Sequence, residues 1–328
     1  MQQHGTPGQK QFMAKGSNQQ SDWHVIGAGA MGSLWAARLW QRSQFASGPD
    51  VTVLLRNDQA ALDYQQAGGI VLHARAETFP CPVPAMSVER IGGEISNLLV
   101  ATKAGHVASA LQSVSHALSA HTRIVLLQNG VRSQHLISAQ YGAQRVYCLS
   151  TSHGAWLRSP YRVVHAGFGA AWLGQFHHFP DTIATMLDLL PVQEMNIRHD
   201  PDINNRLWQK FAVNCAVNAL TVTHSCRNGE LLTLPAARQQ LIQLCAEIEQ
   251  IFAAVPEAPK IPALLESVED VLHATASNYS STLQDVRNRK ITEIADLNGY
   301  LVELAQQNGC AAPMNIALTK AVLLKQPA

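Results

Sequence analysis

The segment Trp23-His24-Val25-Ile26-Gly27-Ala28-Gly29-Ala30-Met31-Gly32 constrains this chain more than any other. A short apolar run enters a glycine triplet of the form G-x-G-x-x-G, and Leu34 to Trp40 continues with helical composition. Such triplets arise by chance in glycine-rich turns. Between a strand and a helix, however, each glycine has a task. The first makes the tight turn, the second lets a pyrophosphate approach the backbone, and the third lets helix and strand pack closely. The free amides at the helix start then face an anion. Gly27, Ala28, Gly29, Ala30, Met31 and Gly32 are therefore expected to cradle a dinucleotide.

The pattern beyond this loop extends the reading. Val51 to Leu55 is β-branched and apolar throughout, as befits a strand buried on both faces. Further strands are predicted at 97–101, 123–127 and 145–148, with helices near 58–67, 105–119 and 131–140 between them. This alternation implies a parallel sheet with helices on both faces. Residues 161–176 alternate around glycines and predict antiparallel strands closing the sheet edge. After Pro201 the patterns are helical, at 202–224, 236–254, 262–277 and 293–308, with a last helix after Pro313. The expected fold is an α/β Rossmann-type dinucleotide-binding domain (23–200) followed by an all-α C-terminal domain (201–328). Residues 1–22, rich in Gln, Gly, Lys and Ser, read as a disordered leader outside the fold.

The chain's 328 residues suit two domains. Apolar residues make up 47% and charged residues only 14%, with net charge +1. Disorder is excluded, and so little charge suggests interfaces or a deep ligand cleft. A nearly neutral chain offers nothing to nucleic acid or to an anionic membrane, and no stretch has the length needed to span a bilayer. The six scattered cysteines fit reduced, mostly buried thiols in a cytoplasmic protein. No His/Cys/carboxylate spacing suggests a metal site.

The end of the second strand bears on cofactor choice. An NAD site commonly places an acidic residue there, to bond the ribose 2′-hydroxyl. Here Arg56 holds that place and offers a planar cation to a 2′-phosphate, favouring NADPH/NADP+. The competing reading is a solvated arginine at a strand end. Asp58 is expected to cap the next helix. Lys103 and Asn129 follow the carboxyl ends of two predicted strands, where open parallel sheets bind ligands. Either residue also fits an ordinary loop or turn.

In the helical half, Leu207 to Leu220 is nearly all apolar apart from Gln209 and Lys210, Asn214 and Asn218. Those last three are four residues apart and form one stripe along a helix. A polar stripe on a helix otherwise apolar all round points to a cleft wall rather than a solvent face. Ser281 with Gln284 fits a capping box, Thr292 an N-cap, and Ser281 is also placed to hold a carboxylate. If 281–293 breaks into two short helices, Ser281 and Glu293 can approach one small ligand.

Several spaced segments together resemble the ketopantoate reductase family. They are GAGAMG at 27–32, LLR at 54–56, LLVATKA at 98–104, LLQNGV at 126–131, LWQKFAVNCAVNALT at 207–221, NYSSTLQDV at 278–286 and TEIADLNG at 292–299. The resemblance covers essentially everything after the leader. It implies that Lys210 is the general acid and that Glu293 supports it and the substrate. Asn214, Asn218 and Ser281 match substrate-binding positions, Lys103 and Asn129 match residues of the cofactor and inter-domain cleft, and Arg56 matches the adenosine-phosphate contact. It further implies a small 2-oxo acid substrate, reduction of 2-dehydropantoate to (R)-pantoate with NADPH, and a monomer or homodimer. Two positions depart from the family pattern: Ala295 replaces the aspartate of TEID, with Asp296 following, and Lys290 stands where an arginine is common. Rival readings are a reductase of another 2-oxo acid on the same fold, and a non-catalytic NADP(H)-binding redox sensor.

Overall fold

The computed structural model describes residues 22–44, 49–177 and 179–327. Apart from Asp22, the expected leader lies outside them. The chain starts with β1 (Trp23–Ile26), α1 (Ala30–Ser43), β2 (Val51–Leu55) and α2 (Asp58–Gln66). Then come β3 (Ile70–Ala74), β4 (Glu77–Cys81), β5 (Ala85–Ser87), β6 (Asn97–Val100), α3 (Val107–Ser113), β7 (Arg123–Leu126), α4 (Arg132–Tyr141) and β8 (Val146–Thr151). β9 (Gly154–Ser159), β10 (Arg162–Gly167), β11 (Ala171–Gly174), α5 (Pro180–Leu189) and β12 (Ile197–His199) complete the first half.

Among the described residues, eight strands form one sheet in the order β12-β11-β8-β7-β6-β1-β2-β5. β1 pairs in parallel with both β2 and β6, Trp23 lying opposite Val51 and Asn97. Strand order reverses at this point, so the ends of β1 and β6 open the crevice in which such sheets hold ligands. Alternation explains the layers. Trp23 and Val25 pack with Leu34 and Trp35 of α1. Ile26 faces the other way, with Leu98, Val107 and Leu111.

The expected edge strands divide. β11 does run antiparallel to β8 in the main sheet. β10 instead joins a second sheet in the order β4-β3-β10-β9, packed against α1. The hairpin of β3 and β4 has no place in the sequence reading. The helix expected over 105–119 is shorter, with 3₁₀ turns on both sides of α3.

The second half is helical: α6 (Ile203–His224), α7 (Glu230–Thr233), α8 (Pro235–Ala254), α9 (Leu264–Ala274), α10 (Ser281–Arg287), α11 (Tyr300–Gln307) and α12 (Pro313–Leu323). α6 is its axis. Trp208, Phe211, Cys215, Ala219 and Val222 of α6 join residues of α8, α9, α11 and α12 in one core. Residues 281–293 do not form one straight helix: α10 ends at Arg287, and a π-helical turn, Ala295–Gly299, leads into α11. Two caps fall one residue from their expected places. Ser280, not Ser281, caps α10 by accepting from the Leu283 amide at 3.1 Å. Asn57, not Asp58, caps α2, accepting from the Ala60 amide at 2.9 Å. Asp58 is taken by Arg90 (2.7 Å) and the Ser87 hydroxyl (2.6 Å). All six cysteines are free, and Cys310 alone of them is not buried. No helix among the described residues is long and apolar enough to cross a membrane.

Candidate active site

The glycine loop is shaped by sterics. Gly27 has φ +103°, and a Cβ there would lie 2.7 Å from the Ala101 carbonyl carbon and the Thr102 nitrogen. At Gly32 a Cβ would overlap the Gly27 carbonyl oxygen. Around Gly29 the situation is opposite: nothing lies within 4 Å of where a Cβ would be. The loop is thus closed on the sheet side and open over the α1 N-terminus, which leaves room for a dinucleotide's phosphates at the free amides. Arg56 is exposed at the end of β2. This donor set fits a dinucleotide.

Across the crevice, the second half reaches into loops of the first. Glu293 accepts from the Ala104 amide through Oε1 (3.1 Å) and from Asn129 Nδ2 through Oε2 (3.4 Å). Burial raises its pKa, while those two donors and Lys103 pull it back down. Lys103 Nζ donates to Asp285 Oδ2 at 2.7 Å and to the Ile291 carbonyl. Farther out, Arg132 pairs with Glu303 at 3.0 Å. Asp296, the residue after Ala295, faces the backbone of Gly105.

Lys210 projects from α6 toward the sheet and donates to the Thr151 carbonyl at 2.9 Å. Desolvation lowers its pKa to about 8, and the charge of Glu293 opposes that fall. At neutral pH the group still carries its proton but releases it far more readily than a solvated lysine. One turn on, Asn214 joins Lys210 in lining a cavity of about 640 Å³. Asn218 is buried at 6% exposure and lies outside that lining. Ser281 opens α10 and is exposed, while its neighbour Ser280 is buried against the Thr221 hydroxyl at 2.6 Å.

The structure therefore brings Glu293, Lys103 and Asn129 together, with Lys210 within electrostatic reach of Glu293. The glycine loop and Arg56 sit along the same crevice, at the ends of β1 and β2. Three contributors escaped the sequence reading. Asp285, which holds Lys103, follows Ser281 by one helical turn, and that spacing was the available signal. The Thr151 carbonyl and the Ala104 amide are backbone groups, and no side chain advertises them. Among the described residues, no group of three or more His, Cys, Asp or Glu side chains is placed to hold a metal ion.

Comparison with known proteins gives this geometry its relatives. Residues 23–178 match the family described as ketopantoate reductase PanE/ApbA, and residues 202–326 match the C-terminal part of the same family. The chain belongs to the ketopantoate reductase family. It is an oxidoreductase, and nicotinamide dinucleotides are its class of cofactor. The 2-dehydropantoate 2-reductase of Vibrio cholerae serotype O1 is 31% identical over 294 residues, which cover 90% of this chain and 94% of the relative. That of Escherichia coli O157:H7 is 29% identical, covering 92% and 94%. A probable 2-dehydropantoate 2-reductase from Bacillus subtilis superposes with a TM-score of 0.76 at 28% identity, covering 93% of this chain and all of that one. A D-mandelate dehydrogenase solved with NADH and anilino(oxo)acetate shares the fold, with a TM-score of 0.81 at 22% identity and 92% and 98% coverage.

Proposed function

We propose that this chain reduces 2-dehydropantoate to (R)-pantoate with NADPH, a step toward pantothenate. In this reading residues 23–200 hold the dinucleotide, and residues 201–328 supply the proton donor and most substrate contacts. The observation that carries it is Lys210: an ammonium with pKa lowered to about 8, at the crevice between the halves and within the field of Glu293. When bound, the dinucleotide supplies a hydride to the C2 carbonyl. Negative charge then grows on the carbonyl oxygen, and the Lys210 ammonium both stabilises that charge and delivers the proton. Asn214 and Asn218 extend the same helix stripe toward the substrate's hydroxyl, while Ser281 and the α10 amides are assigned to its carboxylate. Arg56 is assigned to the 2′-phosphate, which supports NADPH over NADH. A purely sensory NADP(H) protein would need the glycine loop but has no use for a desolvated Lys210 within the field of Glu293.

The test is NADPH oxidation with 2-dehydropantoate by the wild type and by Lys210→Ala. The expected loss in kcat is about 10²- to 10⁴-fold, the usual worth of general acid catalysis, with dinucleotide affinity preserved. A variant retaining activity within about tenfold of wild type, below that range, removes Lys210 from the acid role.

A further inference from the structure

Behind Glu293 the chain makes its π-helical turn, and one buried asparagine of that turn reaches α6. The Glu293 carbonyl accepts from the Asp296 and Leu297 amides, both at 3.0 Å, and the Ile294 carbonyl accepts from the Gly299 amide at 3.0 Å. Turns of this width recur at functional sites. Asn298, fully buried, donates through Nδ2 to the Cys215 carbonyl of α6 at 2.9 Å and to Asn315 Oδ1 at 2.8 Å. Asn315 Nδ2 donates in turn to Glu247 Oε1 at 2.8 Å. The Glu247 carboxylate also accepts from the Met314 and Asn315 amides, each at 2.9 Å, which ties α8 to the start of α12. Chemistry sets the order of this chain. A carboxylate offers acceptors alone, so Asn315 turns its nitrogen to Glu247 and its oxygen to Asn298. Asn298 then gives one donor to Asn315 and the other to α6. Its own Oδ1 finds no partner among the described residues. An apolar side chain would fill the same space without stranding a buried acceptor, so the two donors are what the position retains.

Cys215 lies five residues after Lys210, about 7.5 Å farther along α6 and roughly 140° around it. Asn298 therefore grips, from the core side, the helix that presents Lys210 to the crevice. Glu293 stands five residues before Asn298, and its carboxylate is held at the other end by the Ala104 amide and Asn129. We propose that Asn298 is a positioning residue: by bonding the π-turn to the α6 backbone, it fixes the separation of Glu293 and Lys210. The inference rests on the reaction proposed above. Two other charges bear on Glu293, Lys103 lowering its pKa and Asp296 raising it. Glu293 is the charge that bears on Lys210.

Asn298→Ala, Asn315→Ala, Glu293→Gln and the Asn298→Ala/Glu293→Gln double variant are compared with the wild type. NADPH oxidation with 2-dehydropantoate is followed across pH, alongside Tm and NADPH binding. Freeing the turn lets Glu293 draw away from Lys210 and weakens its hold on the lysine proton. Asn298→Ala should therefore move the alkaline limb of the kcat profile to lower pH. It should also cut kcat at pH 7 about 10- to 100-fold, the scale of an ångström's misplacement, with NADPH binding unchanged. Asn315→Ala leaves the Cys215 contact in place, so it should lower Tm while its limb stays near that of the wild type. The double variant should place the limb where Glu293→Gln alone places it. Three results overturn the assignment and leave the reaction standing: a limb that Glu293→Gln moves and Asn298→Ala does not, a limb moved as far by Asn315→Ala, or a further displacement in the double variant. If the alanine variant does not fold, Asn298→Ser, which keeps a hydroxyl at the turn, is judged by the same criteria. A limb that stays in place in both Glu293→Gln and Asn298→Ala removes the Glu293–Lys210 coupling and its positioning residue together. No turnover of 2-dehydropantoate by the wild type sinks the reaction and the assignment alike.

Discussion

The glycine loop and the α6 stripe face the same crevice but are determined in opposite ways. At Gly27 and Gly32 the neighbouring backbone leaves no volume for a side chain, so geometry dictates the residue. Along α6, Lys210 and Asn214 stand half-buried and line a cavity, on the one face of the helix that is not core. There chemistry dictates the residue. The first kind of site fails by ceasing to fold or to bind. The second kind fails by keeping its shape and losing its reaction.

That contrast can be broken at the loop first. Gly32→Val should produce the largest effect, because its Cβ overlaps the Gly27 carbonyl oxygen. We expect destabilisation of at least about 3 kcal/mol, the upper range for overpacking, seen as a lowered Tm together with loss of dinucleotide binding in a fluorescence titration. Wild-type binding by that variant would contradict the steric account.

Arg56→Ala probes the proposed 2′-phosphate contact, which chemistry rather than space would set. Removing a charge-assisted partner of about 1.5–3 kcal/mol should raise the KM for NADPH by roughly 10- to 100-fold and leave that for NADH nearly unmoved. Equal changes for both dinucleotides would make Arg56 an ordinary solvated residue.

The smallest effect is a displacement in pH. On the proposed mechanism Lys210 acts in its protonated form, so activity should fall as pH rises through about 8. Glu293 holds the Lys210 pKa up against desolvation. Replacing its charge in Glu293→Gln should therefore move the alkaline limb of the kcat profile to lower pH. A limb that stays in place, or moves upward, would show that the carboxylate does not act on Lys210.

The two kinds of site were also legible to different degrees. The glycine triplet, the parallel strands and α6 were readable because each is local: a run of apolar residues, a turn and a period of 3.6. The second sheet was not. β3 pairs with β10, whose residues lie some ninety positions away, as Val71 with Arg162, and nothing within either segment names its partner. The caps were misplaced by one because adjacent residues, Ser280 with Ser281 and Asn57 with Asp58, satisfy the same capping chemistry. In the crevice, Lys103, Asn129, Lys210 and Glu293 were found as side chains. The Thr151 carbonyl and Ala104 amide, which hold two of them, belong to a backbone present at every position.

The start of α6 sets a ruler for the reaction. Asp202 caps the helix by accepting from the Asn205 amide at 3.4 Å, and Asp200 grips Arg206, so the first turn is clamped to the end of β12. Eight positions separate Asp202 from Lys210, about 12 Å of helix. Lys210, the proton donor proposed above, is thereby placed by counting residues from a fixed origin. One residue added or removed within those turns would swing Lys210 by about 100° and shift it by about 1.5 Å, turning it from the crevice into the helical core. Substitutions in this span act through packing at Ile203, Leu207 and Trp208, whereas a change in its length would move Lys210 itself.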